Sequence, residues 1–129
     1  MNIFQAETPK LLAQWNGAIV SRVEPYDIDM MVLLAPIPCG DHWIPALYKW
    51  NGASVGPLRW LFPKWKHPVA TCRHDYRCQK AKYWYQRKIA DVLFYRDVGV
   101  RGTKYEQIIG YTGVRLGALW ALATGKLTL

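Results

Sequence analysis

Residues 68–99 read PVATCRHDYRCQKAKYWYQRKIADVLFYRDVG, and this stretch decides the fold. Pro68 suits the first position of a helix, where a missing N–H costs nothing, and Val69–Ala81 continues without a breaker. A second helix over Tyr85–Val98 places Ile89, Ala90, Leu93 and Phe94 on one face and stops at Gly99. The connection is short, so the two helices are expected to lie as antiparallel neighbours. Downstream, Thr103 with Glu106 three residues on is a capping box that opens a third helix. That helix runs to about Thr124, where Gly125-Lys126 supplies a cap signal and a cation suited to the helix dipole. Ile108–Thr124 carries one charge, Arg115, with glycines at 110, 113 and 117. Gly113-x-x-x-Gly117 permits close helix approach, but the segment falls short of the roughly 20 residues of a membrane span. It reads as a core or docking helix.

Upstream the pattern changes from helical to extended. Ala18–Val23 and Met30–Ala35 are short apolar runs separated by the turn-rich Glu24-Pro25-Tyr26-Asp27. His42–Trp50 reads as a third extended piece, because Pro45 suits neither a helix nor a central strand. Asn51-Gly52-Ala53-Ser54 is a turn signal, followed by a Pro- and Trp-rich connection to Pro68. The expectation is one α+β domain over residues 1–129, with a β-rich and turn-rich part over 1–66 and a part with three C-terminal helices over 67–129.

A chain of 129 residues with 51% hydrophobic and 20% charged residues is globular rather than disordered. The net charge of +8 is uneven. Residues 1–60 hold 4 Lys/Arg against 5 Asp/Glu, whereas residues 61–129 hold 13 against 4. The second half should attract anions such as phospholipid headgroups, nucleic acid or an acidic partner. Nucleic-acid binding rests on charge alone, since no recognisable module accompanies it. Seven Trp and 8 Tyr suit surfaces that are apolar at one end and wet at the other. Three cysteines without a disulfide spacing point to a reducing compartment, and Met1–Lys10 has no signal-peptide core.

Chemistry concentrates in the first two helices. Adjacent helical residues point about 100° apart, so His74 and Asp75 address different neighbours. Asp91, at the margin of the next helix's apolar face, is placed to reach the His74 ring. A carboxylate on one ring nitrogen leaves the other to take a proton from water. Asp75 is then available to ligate a hard cation, with backbone oxygens from the Asn51-Gly52-Ala53-Ser54 turn. Arg87, four residues before Asp91, competes for that carboxylate as a helix-surface ion pair. A zinc reading uses Cys39-x-x-His42 and His74-x-x-x-Cys78 but leaves both aspartates unexplained. The cysteines otherwise read as small buried hydrophobes, and His67 as a helix-entry residue.

The series Trp50-Asn51-Gly52-Ala53-Ser54, Trp60, Ala70, His74-Asp75-Tyr76, Arg87 and Ala90-Asp91-x-x-Phe94 resembles the phage and prophage family called domain of unknown function 1353. The likeness spans about Val23 to Gly117. The same order is similar to the prokaryotic secreted phospholipase A2 arrangement, in which a turn precedes a His-Asp helix and a second helix carries Asp. That resemblance implies a phospholipase A2-like helix pair and a Ca²⁺-assisted ester hydrolase acting on phospholipid at the host envelope. His74 would be the base, Asp91 its orienting acid, and Asp75 with the carbonyls of Asn51 and Gly52 the Ca²⁺ ligands, the ion stabilising the oxyanion. Asn51 stands where both families carry Asp. The alternative is a non-catalytic virion component (tail, connector or baseplate) that keeps the fold, is made in the host cytoplasm and contacts other virion proteins.

Overall fold

The computed structural model describes residues 20–24, 27–50, 62 and 66–129. Five strands precede three helices among them: β1 Val20–Glu24, β2 Asp27–Leu33, β3 Ile37–Cys39, β4 His42–Ile44, β5 Lys49–Trp50, α1 Pro68–Lys80, α2 Trp84–Gly99 and α3 Lys104–Ala123. This is the expected α+β layout. β1, β2 and β5 form an antiparallel sheet in that order, and β3 and β4 form a separate hairpin.

The strand boundaries differ from expectation for identifiable reasons. β2 begins earlier than Met30, because Glu24 pairs with Asp27 and carries the ladder to the end of β1. The expected single piece His42–Trp50 is two strands. Pro45 has no N–H for a ladder, and Leu47 takes a left-handed φ of 70°, which turns the chain. Leu47 N–H then donates to the Leu33 carbonyl at 2.8 Å, and Leu33 N–H to the Tyr48 carbonyl at 3.0 Å, which sets β5 beside β2. The β3–β4 hairpin was not anticipated, although Gly40-Asp41 is a two-residue turn signal and Gly40 has φ 63°.

Helix limits follow the local chemistry closely. Pro68 opens α1 and His67 is its N-cap. Thr103 and Glu106 form the reciprocal capping box of α3. Gly125 takes φ 79° just beyond α3, a conformation that glycine adopts without steric cost. No described helix is long and apolar enough to cross a membrane.

Two apolar clusters meet on α1. Leu33, Ile37, Cys39, Ile44, Trp50, Val69 and Cys72 join the sheets to one side of the helix. Phe62, Ala70, Phe94, Val98 and Val114 join α1 to the other two helices. Because α1 is wrapped from both sides, Thr71, Arg73, His74 and Arg77 on it are buried and each must be matched inside. Trp50 Nε1 donates to Thr71 Oγ1 at 2.9 Å. Arg73 and Arg77 lie 3.3 and 3.7 Å from Asp97 Oδ2, and Arg73 also donates to the Pro38 carbonyl at 2.8 Å.

Gly110 is where α3 comes closest to the aromatic cluster. A Cβ there would sit 2.8 Å from a Phe62 ring carbon and 3.1 Å from one of Phe94. Gly110→Ala is therefore expected to destabilise the fold by about 1–3 kcal/mol despite alanine's better helix propensity. Thermal unfolding would measure this, and an unchanged midpoint would contradict the packing.

Candidate functional site

The His74–Asp91 pairing expected from the helix order is present. His74 Nε2 donates to Asp91 Oδ1 at 2.6 Å between α1 and α2. Arg87 does not compete for this carboxylate but shares it, donating from Nε to the same Oδ1 at 2.9 Å. The Arg87–Asp91 pair is buried rather than a surface ion pair, and Arg87 Nη2 reaches on to the Val114 carbonyl at 3.0 Å. Arg115 of α3 donates to the other oxygen, Asp91 Oδ2, at 2.7 Å, and its guanidinium lies over the Trp84 ring at 4.6 Å. One carboxylate thus ties together all three helices.

Surroundings decide what this arrangement can do. The His74 and Asp91 side chains are both 0% exposed. Phe94 packs against the imidazole with ring centres 4.7 Å apart, and Cys78 Sγ lies 3.4 Å from Nε2 and 3.7 Å from Nδ1. Burial disfavours the charged ring, but the adjoining Cys78 sulfur and Asp91 carboxylate outweigh it, and the His74 pKa is raised to about 9. At neutral pH the ring is an imidazolium that donates. It is neither a free base nor open to water in this conformation.

Asp75 turns the other way, as its place in the helix requires. Its Oδ2 accepts from the Tyr48 hydroxyl at 2.5 Å and from Gln79 Nε2 at 3.2 Å. Burial pushes the Asp75 carboxyl up, against the lowering effect of Tyr48. Burial and this carboxylate together push the Tyr48 phenol up. Asp75 lines a pocket of about 330 Å³ with Cys78, Arg87, Trp120, Lys126 and Leu127 among its walls. The proposed Ca²⁺ partners Asn51 and Gly52 lie outside the described residues, as do Trp60 and Trp65.

The zinc reading divides. Donor atoms of His74, Cys78 and Asp91 lie within 4.8 Å of one another, whereas Cys39 and His42 join no such cluster among the described residues. The charge around the three opposes a cation, because Arg87 and Arg115 already occupy both oxygens of Asp91. Cys39 and Cys72 are buried and not disulfide-bonded, in line with a packing role. His67, the N-cap of α1, is buried, and its Nε2 lies 3.4 Å from Glu106 Oε1.

Sequence reasoning did not find Arg115 or Tyr48 as members of these networks. For Arg115 the signal was there: a lone charge in an apolar helix requires a buried partner. No family model matches this chain, and no curated protein or solved structure shows significant similarity to it.

Proposed function

We propose that this chain is a non-catalytic component of a phage particle, built on a phospholipase A2-like helix pair whose His74–Asp91 couple has become an internal anchor. The enclosure of the His74 ring carries this reading. A general base has to reach the proton it removes, directly or through one water. Here the imidazole is sealed by Phe94, Cys78 and Asp91, and both oxygens of its orienting acid are taken by arginines. Such a network holds three helices in register, which is what a scaffold component needs. The motif order from Trp50 to Phe94 supports the phage assignment, with synthesis in the host cytoplasm and other virion proteins as neighbours.

A second reading is favoured by one observation: the 2.6 Å His74–Asp91 bond stands beside a pocket lined by Asp75. In that reading His74 activates water, Asp91 holds the ring, and Asp75 with the Asn51 and Gly52 carbonyls takes Ca²⁺ to polarise a phospholipid ester. One assay separates the two. The purified chain is incubated with mixed phospholipid micelles, with Ca²⁺ and with chelator, and released fatty acid is titrated. The expected result is no release above the blank, together with co-sedimentation of the chain with intact particles. Ca²⁺-dependent release that disappears in a folded His74→Gln variant would replace the scaffold reading with the hydrolase.

A further inference from the structure

We infer that the outer face of α3 docks in the plane of an anionic lipid bilayer. Tyr105, Ile108, Leu116 and Leu119 recur at helical spacing along α3, with Trp120 beside them, and all five are exposed. Trp120 is 69% exposed and Leu119 53%, although a solvent-facing helix surface ordinarily carries charge. The only charge from Ile108 to Thr124, Arg115, is turned inward onto Asp91. On the neighbouring helix, Tyr85, Ile89 and Val92 are exposed as well.

The exposed charges of the helical segment that carries this face have one sign. Every exposed charged side chain from Pro68 to Leu129 is a lysine or arginine, among them Lys88, Arg96, Lys104 and Lys126. The four acids of that segment are held in internal contacts. Asp75 takes Tyr48, Asp91 takes Arg87 and Arg115, Asp97 faces Arg73 and Arg77, and Glu106 takes Lys66. The helical segment has thus engaged its own carboxylates and leaves an apolar helix among exposed cations.

That combination selects the occupant. A second copy of this chain would bring like charge against like. Nucleic acid would satisfy the cations but gives isoleucine and leucine side chains nothing to bury against. An anionic bilayer takes both: the aliphatic side chains enter the acyl boundary, tyrosine and tryptophan sit at headgroup level, and lysines meet the phosphates. The helix cannot cross the bilayer, so it lies along it for about 30 Å.

The test uses the full chain and vesicles of phosphatidylglycerol with phosphatidylcholine, against phosphatidylcholine alone. Wild-type protein is expected to co-sediment with the anionic vesicles and to be released by high salt. Leu116→Glu/Leu119→Glu alters only exposed positions and should melt as the wild type does. It is expected to bind at least about tenfold more weakly, since both side chains lose their apolar burial. Absence of wild-type binding, or equal binding by the double variant, would overturn the assignment. So would a wild-type dimer that the double variant dissolves without any vesicle binding, which would give the face to a second copy.

Discussion

Replacing Asp91 with alanine is expected to lower the stability of the fold by about 3–5 kcal/mol. The carboxylate is the shared acceptor of His74, Arg87 and Arg115, one cation from each helix. The side chain is wholly buried, so water cannot replace it without opening the helix packing. Alanine removes three charge-assisted hydrogen bonds and leaves positive groups facing one another in a medium that screens poorly. Asp91→Asn keeps the shape but turns an amide donor toward at least one other donor, so it should fall between wild type and alanine. Urea denaturation of the three proteins would measure the series. A loss under about 1 kcal/mol in Asp91→Ala would mean that the node is solvated and does not hold the helices together.

This node also shows which parts of the structure were legible in the sequence. The helices were, because their ends are written in local chemistry: Pro68 at a first turn, Thr103 with Glu106, and Gly125 past the end. The His74–Asp91 bond was legible too, since a short connection between two helices leaves few ways to arrange them. What failed was long-range. Tyr48 reaches Asp75 across 27 positions, and Arg115 reaches Asp91 across 24. No local pattern states those separations. The β3–β4 hairpin is three residues a side, too short for alternation to stand out, and only Gly40-Asp41 marked it. Chemistry was harder to read than geometry. The spacing that puts an imidazole on a carboxylate does not say whether water can follow, and here Phe94 and Cys78 close the approach.

Between pH 6.5 and about 9 the protein is expected to lose about 3 kcal/mol of stability through His74. The sign follows from where the proton sits. Below the ordinary histidine value of 6.5 the ring is protonated in both folded and unfolded chains, and the stabilisation of the charged ring by Cys78 and Asp91 is fully present. As pH rises past 6.5 the unfolded chain releases its proton, while the folded chain holds it up to about 9. The folded state then binds more protons, so stability falls with increasing pH until the folded ring also titrates. His67 acts in the opposite direction. Burial lowers its pKa, against the pull of Glu106, so its effect is a loss of stability as pH falls through 6.5. A stability profile should therefore decline on both sides, with only the alkaline limb depending on His74. Urea denaturation at about pH 6, 7.5 and 9 would show that limb in wild type and flatten it in His74→Gln. Parallel limbs in the two proteins would place the alkaline loss elsewhere, on a thiol or phenol. They would also remove the imidazolium that the anchor reading requires, because a neutral ring in this pocket would be a base awaiting only an opening to water.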